Sequence, residues 1–297
     1  MRSLKFTQLQ RAEKPISKLR SLSLVENWPV GRAAVGVVGW NHSSGQVEII
    51  GTIGDIEHAR FSWASVTKVL TALCVLEGVN AGEISLDEEL GQPRSTVRHV
   101  LSHASGLASS SRTVVAKPAT KRIYSNAGYE LLGEFVAERY GVDFVASLTR
   151  KVLQPLQMYS TRLLGSPASG AEGPLGDLLK LTKKMLENTL APSAVFLEAT
   201  STAFPGLDGV LPGFGMQRPC DWGLGFEIKD DKQPHWTGRL NSPSTFGHFG
   251  RSGSFIWVDP DALVGCACLC DREFGAWAHG AWPSLADAVL AEILEDY

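Results

Sequence analysis

The sequence lacks long apolar runs and blocks of like charge, and both absences exclude classes of protein. No window approaches the roughly 20 apolar residues that a membrane-spanning helix needs, so we expect no transmembrane segment. No run of five or more charges of one sign occurs, and the formal net charge is only −3. We therefore expect neither nucleic acid nor a membrane surface as a partner. Hydrophobic residues still make up 44% of the 297 residues, which is enough for a large core.

Cysteine is scarce, and the five cysteines are odd in number. The basic residues near the N-terminus are followed by no apolar stretch of signal-peptide length and no cleavage site of the A-x-A kind, so we expect a cytoplasmic protein with free thiols. Cys266, Cys268 and Cys270 alternate along a β-like run. Strand alternation places them in a row on one face, which suits small buried side chains better than a tetrahedral metal site.

The two ends of the chain have strand character and the middle has helical character. Residues 33–40 and 47–54 are β-rich runs around a turn, and we predict a hairpin. Helical spacing follows from about 95 to 200, with the clearest helices at 126–139, 144–152 and 175–190. Short β-like runs then appear at 222–228, 254–258 and 262–269, before an amphipathic helix at 284–294.

This order indicates an α+β fold. Strands from both ends most simply share one antiparallel sheet flanked by helices, and the helical middle forms an inserted all-helical lobe. We predict one catalytic unit over residues 1–297, with an α/β lobe at about 1–90 and 205–297 and a helical lobe at about 91–204. Clefts tend to form between lobes, so the site is expected there.

Ser65, Val66, Thr67 and Lys68 form an S-x-x-K pattern that opens a strongly apolar segment. If this segment is a helix, Lys68 lies one turn from Ser65 and within reach of its hydroxyl. A serine becomes a good nucleophile when a neighbour takes its proton, and burial lowers the pKa of a lysine toward neutrality. Free N–H groups at a helix start also favour an oxyanion. Alone, however, a serine at this position is more often a helix N-cap.

Two further motifs carry polar groups of suitable chemistry. Tyr124 is a candidate acid or base if a nearby cation lowers its pKa, and Asn126 can bind both a substrate carbonyl and a lysine ammonium. The alternative is an ordinary N-cap before the next helix. His248 lies in a glycine-rich stretch with Gly250, where a ligand can approach the backbone closely. Its imidazole is expected to donate to Tyr124 or to a substrate carboxylate, or else to be simply packed.

The three motifs, in this order, resemble the serine β-lactamase and penicillin-binding-protein superfamily. The similarity is to the branch with class C β-lactamases, D-Ala-D-Ala carboxypeptidases and related esterases, in which the second and third motifs are Y-x-N and often H-x-G. Residues 101–107 and 222–226 look like further landmarks of this branch, and the resemblance covers about residues 33–294. It implies a β-lactamase/transpeptidase-like fold and no metal or organic cofactor.

The resemblance also implies catalytic roles. Ser65 would attack a substrate carbonyl and form an acyl-enzyme. Lys68 and Tyr124 would share the role of base and pass the proton to the leaving group. Asn126 would hold the substrate amide and Lys68. The oxyanion hole would consist of the backbone N–H groups of Ser65 and Arg251.

The third motif departs from the family pattern in ways that bear on the substrate. His248 stands where many relatives have lysine, and it either tunes Tyr124 or contacts substrate. Phe249 replaces a usual threonine, which removes a contact to a substrate carboxylate. Arg251, after Gly250, either restores that contact or blocks the groove. These substitutions and the expected cytoplasmic location favour a small-molecule ester or amide, with esterase activity ahead of carboxypeptidase or weak β-lactamase activity. The alternative is a non-catalytic or penicillin-binding relative that holds ligand without efficient turnover.

Overall fold

The computed structural model describes residues 19–295. The basic N-terminal segment, on which the expectation about a signal peptide rests, lies outside the described residues. Among residues 19–295, the structure contains no helix that could span a membrane.

The α-helices are α1 (Thr67–Asn80), α2 (Val97–Leu101), α3 (Asn126–Tyr140), α4 (Phe144–Leu148), α5 (Leu175–Leu190), α6 (Ala194–Ala199) and α7 (Ala278–Glu295). The strands are β1 (Ala33–Asn41), β2 (Gln46–Ile53), β3 (Phe61–Ser62), β4 (Arg162–Leu163), β5 (Ala171–Gly173), β6 (Gly209–Leu211), β7 (Gly215–Gln217), β8 (Glu227–Ile228), β9 (Phe246–Phe249), β10 (Phe255–Asp259) and β11 (Val264–Cys270).

One antiparallel sheet joins the two ends of the chain. Its strand order is β2-β1-β11-β10-β9-β8, and every neighbouring pair is antiparallel. The first two strands form the predicted hairpin, and α1 to α6 lie in the chain between β2 and β8. The predicted α+β fold with a shared antiparallel sheet is therefore confirmed. The lobe boundaries near residues 90 and 205 stay a prediction, but the segment between them is not all-helical as expected, because it contains the short strands β4 and β5.

Helices cover both faces of this sheet because its strands are apolar on both sides. Ala34 and Val38 of β1 face one hydrophobic cluster, while Val35 and Val37 face a second cluster. The first cluster contains α1 and α5, and the second contains α7. Alternate burial on two sides is the expected result of the two-residue period of a strand.

The alternating cysteines follow the same rule. Cys266 and Cys268 lie in the second cluster, whereas Ala267 and Leu269, which alternate with them, lie in the first. All five cysteines are buried free thiols, as predicted. Within residues 19–295, no group of three or more His, Cys, Asp or Glu side chains is placed to hold a metal ion.

Two segments differ from the sequence prediction. Of the predicted run at 222–228, only Glu227–Ile228 joins the sheet. Gly225 has a φ of 99°, and a Cβ on it would lie 2.2 Å from that of Ala72, so the chain turns tightly against α1 instead of extending. The last helix begins at Ala278 and not at residue 284, because Trp282 and Ala278 continue its buried face past Pro283.

Helix α5 packs closely on β1 at a glycine, and this contact predicts a change in stability. A Cβ at Gly36 would lie 2.7 Å from Leu179 Cδ1 and 2.8 Å from Cδ2. Gly36→Ala should lower the free energy of unfolding by roughly 1–3 kcal/mol, as overpacked cores do. In a Leu179→Ala background, where the clashing atoms are gone, the same substitution should cost much less. Urea unfolding of the four proteins measures this coupling, and equal losses in both backgrounds would contradict the proposed contact.

Candidate active site

Ser65 lies in a short 3-10 turn (Ala64–Val66) that leads directly into α1. Ala64 has a φ of 42°, a left-handed conformation that is uncommon for a residue with a side chain and often marks functional sites. The preceding residue is anchored on both sides. The Trp63 N–H donates to the Ala171 carbonyl at 2.9 Å, and the Trp63 carbonyl accepts from Ser254 Oγ at 2.7 Å. The serine is thus held in a fixed position at the start of the helix.

Lys68 is fully buried, and its ammonium nitrogen lies among three oxygen atoms. Lys68 Nζ is 2.6 Å from Asn126 Oδ1, 2.8 Å from the Ala168 carbonyl and 3.4 Å from Ser65 Oγ. The structure therefore brings together three of the residues that the motifs singled out. The sequence analysis missed the fourth group of this arrangement, the backbone carbonyl of Ala168.

The loop that carries Ala168 is bound along the polar side of α1. Thr67 Oγ1 accepts from the Ala171 N–H at 3.0 Å, and Thr71 Oγ1 donates to the Pro167 carbonyl at 2.6 Å. Thr67, Lys68 and Thr71 are the buried polar residues of a largely apolar helix. That pattern is visible in the sequence and indicates a buried polar partner, although it does not say which segment supplies it.

Burial lowers the pKa of Lys68 to about 7, and the carboxylate of Glu130 opposes this shift. Near neutral pH, the side chain is therefore a neutral amine in a large share of the molecules. Such an amine has two N–H donors and one lone pair. The two shorter contacts, to Asn126 and Ala168, use the donors, which leaves the lone pair for the hydroxyl of Ser65. This arrangement is that of a base beside its nucleophile.

Burial raises the pKa of Tyr124 above its ordinary value. The phenol also hydrogen-bonds with the side chain of Ser65, and this smaller effect lowers the pKa. Lys68 Nζ lies 4.8 Å from the centre of the phenol ring, over its face. The sequence analysis made an acid/base role depend on a cation that lowers this pKa, and that condition is not met. The phenol is neutral at pH 7 and is suited to donate a proton.

The Y-x-N motif serves both the helix and the site. Ser125 is the N-cap of α3, and its Oγ accepts from the Gly128 N–H at 3.0 Å. Asn126, the first residue of the helix, is thereby free to turn its amide oxygen to Lys68. The cap expected under the capping alternative is present at Ser125, and the functional role of the adjacent Asn126 stays a prediction.

His248 and Phe249 lie on opposite faces of strand β9. The His248 ring is 5.9 Å from the Tyr124 ring, and its Nδ1–H donates to the Phe249 carbonyl at 2.8 Å. Burial, and next to it the charge of Lys68, lowers the pKa of His248 to about 3. The imidazole is therefore neutral, with an acceptor at Nε2. This hydrogen bond differs from the expected donation to Tyr124 or to a substrate carboxylate.

Phe249, which replaces the usual threonine, does not line the cleft. Its ring packs into the second hydrophobic cluster, 5.2 Å from Phe274 and 5.4 Å from Trp236 between centroids. The residue lies on the face of β9 opposite to His248 and does not line the cleft at Ser65. Its aromatic bulk therefore serves the core under α7, and entry of substrate depends on other residues.

Gly250 and Arg251 form the turn beside the nucleophile. A Cβ at Gly250 would lie 2.5 Å from the Trp63 carbonyl and 3.1 Å from the Ala64 Cβ, so only glycine lets this turn approach Ser65 so closely. The Arg251 N–H has no acceptor among residues 19–295, as an oxyanion donor requires, whereas the Gly250 N–H donates to Ser254. The Arg251 side chain is exposed and forms an ion pair with Glu273 at 3.3 Å.

A cleft of about 620 Å³ opens at Ser65. Its lining combines hydroxyl and amide groups with several charges: Arg32, Arg60, Phe61, Ser62, Ala64, Ser65, Asn126, Ser169, Arg251, Ser252, Cys270, Asp271 and Glu273. Three of these residues are arginines, and sequence reasoning found only Arg251. Arg32 and Arg60 belong to no motif, and only the fold brings them to the cleft.

Comparison with known proteins places the chain in a family. The β-lactamase family profile matches residues 56–290, and the chain therefore belongs to the β-lactamase family. The chain is 46% identical to a β-lactamase of known structure from Mycobacterium bovis, with a TM-score of 0.87 over 92% of this chain and 99% of the other.

Two more distant structures share the fold. The octameric penicillin-binding protein homologue from Pyrococcus abyssi is 19% identical, with a TM-score of 0.68 over 92% of this chain and 75% of its own. EstCE1, a hydrolase with promiscuous acyltransferase activity, is 15% identical, with a TM-score of 0.74 over 91% and 96%. A putative fimbrial assembly protein from Dichelobacter nodosus is 33% identical, but the match covers only 29% of this chain and 31% of that protein.

The pKa of Lys68 predicts how the reactivity of Ser65 depends on pH. Labelling of Ser65 by a fluorophosphonate should accelerate as pH rises through about 7, because the ammonium then loses its proton and can act as base. Glu130→Gln removes a charge that raises this pKa, so the midpoint should move to lower pH. Glu134→Gln, one turn further along α3, is the matched control and should leave the midpoint in place. A rate that is flat with pH between 5 and 9 would contradict the role of Lys68.

Proposed function

We propose that the protein is a serine hydrolase that acts on a small ester or amide through a Ser65 acyl-enzyme. The observation that carries this proposal is the buried Lys68 amine, whose pKa near 7 and position 3.4 Å from Ser65 Oγ suit a base at neutral pH. The cleft at Ser65 gives a carbonyl compound access to the hydroxyl.

In the acylation step, Ser65, Lys68, Tyr124 and the oxyanion donors act in sequence. Ser65 Oγ attacks the substrate carbonyl carbon while its proton passes to Lys68 Nζ, and the carbonyl electron pair moves to the oxygen. The N–H groups of Ser65 and Arg251 stabilise this oxyanion, at typically about 3 kcal/mol for each donor. Tyr124 then gives its proton to the leaving alcohol or amine as the carbon–oxygen or carbon–nitrogen bond breaks. The proton on Lys68 returns to the phenolate, which resets the pair.

Hydrolysis of the acyl-enzyme reverses these roles with water as the nucleophile. Water loses a proton to the Lys68 and Tyr124 pair as it attacks the ester carbonyl, and Ser65 recovers its proton when the acid leaves. Esterase activity leads among the candidate activities. A β-lactam is tested as a second substrate because the chain is 46% identical to the Mycobacterium bovis β-lactamase and because Phe249 lies away from the cleft.

The test compares three reagents on the same protein: a fluorophosphonate probe, a fluorescent penicillin and p-nitrophenyl butyrate. We expect Ser65-dependent labelling and ester turnover that Ser65→Ala abolishes. Ser169→Ala removes another hydroxyl from the same cleft and should leave Ser65 labelled. A penicillin adduct that persists for hours would favour the penicillin-binding alternative. Failure of all three reagents to react at Ser65 would falsify the catalytic proposal.

Arg251 predicts a preference for substrates with a carboxylate. Its guanidinium lines the cleft beside Ser65, and charge-assisted hydrogen bonds are the stronger class. Arg251→Ala should lower kcat/KM for p-nitrophenyl hemiglutarate by about tenfold, the size of one such bond at an exposed position. It should change kcat/KM for uncharged p-nitrophenyl valerate by far less. Arg272→Ala, an exposed arginine that binds the Pro29 carbonyl, is the control. Equal losses with both esters would contradict carboxylate recognition.

A further inference from the structure

The backbone on both sides of Tyr124 is bound by a single residue, His103. The His103 carbonyl accepts the N–H of Ile123 at 2.8 Å. Its ring nitrogen Nδ1 accepts the N–H of Ser125 at 3.1 Å. These two amides flank the tyrosine in sequence. One residue therefore fixes the chain before and after the phenol that the proposed mechanism uses as acid.

The His103 ring also packs on the phenol itself. Its centroid lies 4.5 Å from that of Tyr124, with an angle of 44° between the planes. The same imidazole contacts Trp222 at 4.7 Å and Tyr129 at 5.1 Å, so it is held in turn by two other aromatic rings. Backbone and side chain of Tyr124 are thus positioned together.

His103 has two unfavourable features that its neighbours must offset. Its φ is 59°, in the left-handed region, where histidine is uncommon although better tolerated than most side chains. Because Nδ1 accepts a hydrogen bond, a neutral ring carries its proton on Nε2, and that buried nitrogen has no partner among residues 19–295. Burial lowers the pKa of His103 well below its ordinary value, which keeps the ring neutral. Backbone outliers of this kind cluster at functional sites.

We propose that His103 is the positioning residue of Tyr124, which it holds in the orientation needed for proton transfer at Ser65. This inference rests on the proposed function, in which Tyr124 protonates the leaving group. Within residues 19–295, His103 forms no hydrogen bond with Ser65 or Lys68. Its effect on catalysis must therefore pass through the tyrosine.

The test is a double-mutant cycle between His103 and Tyr124, with ester turnover as the readout. Loss of a general acid typically costs about 10²–10⁴-fold in rate, and His103→Leu, which keeps bulk but removes the Nδ1 acceptor, should lose part of this. We expect kcat to fall by about ten- to hundredfold with KM little changed, since an interaction made only in the transition state is impaired. In a Tyr124→Phe background, the same substitution should change kcat by less than about twofold.

His103→Asn is the conservative variant and carries the test if the leucine variant does not fold. The asparagine Oδ1 takes the place of Nδ1, and asparagine tolerates the left-handed backbone. It should therefore recover most of the activity, while losing the ring contact with Tyr124. Thermal unfolding of each variant separates loss of fold from loss of position.

The outcomes distinguish the two proposals. Turnover in the wild type together with additive losses, where His103→Leu costs as much in the Tyr124→Phe background as outside it, would overturn the positioning role alone. Coupled losses with rescue by asparagine would support it. A wild-type protein without any Ser65-dependent turnover would overturn both the positioning role and the proposed function.

Discussion

The site depends on one constraint, the burial of Lys68 without a carboxylate in direct contact. A lysine that is taken out of water loses hydration and favours its neutral form. Here the hydrogen-bonding neighbours are the uncharged oxygens of Asn126, Ala168 and Ser65, and Glu130, whose charge raises the pKa of Lys68, forms no hydrogen bond or ion pair with it in the described chain. An ion pair at this position would favour the ammonium, and Lys68 could then not act as the proposed base. The uncharged surroundings are therefore as necessary as the lysine itself.

The helix that carries the buried lysine also binds the loop that packs against this lysine. Helix α1 is apolar on nearly all sides because it lies inside the first hydrophobic cluster, so its few polar residues need partners within the protein. Thr67, Lys68 and Thr71 find them in the loop from Pro167 to Ala171. Packing and site geometry are thus linked, because the hydrogen bonds that pair the buried polar groups of α1 also hold this loop beside Ser65.

The sequence predicted the elements that repeat a local pattern and missed those that depend on long-range contact. Period-two runs and capped helices identified the hairpin, α3 and α5. Spacing alone put Lys68 near Ser65, and the resemblance added Tyr124 and Asn126. The Ala168 carbonyl, Arg32 and Arg60 have no local signature, because their position is set by how distant segments fold together. The side of the sheet that Phe249 occupies follows from strand register, which a single substitution in a motif does not reveal.

The charges of the site are arranged by depth, and this arrangement decides what each group does. In the interior, burial favours the uncharged forms of Lys68, Tyr124 and His248, so the proposed proton transfer would take place between groups that are largely neutral at rest. The permanent positive charges are at the rim, on three exposed arginines, two of which are paired with carboxylates. In the proposed function, charge at the rim attracts and orients an anionic group of a substrate, and exposed charges of this kind cost little stability. Moved inward, the same charge would raise the cost of protonating Lys68 during acylation. The separation of an uncharged proton-transfer centre from a charged rim therefore allows recognition and catalysis to be changed independently, by residues on different elements of the fold.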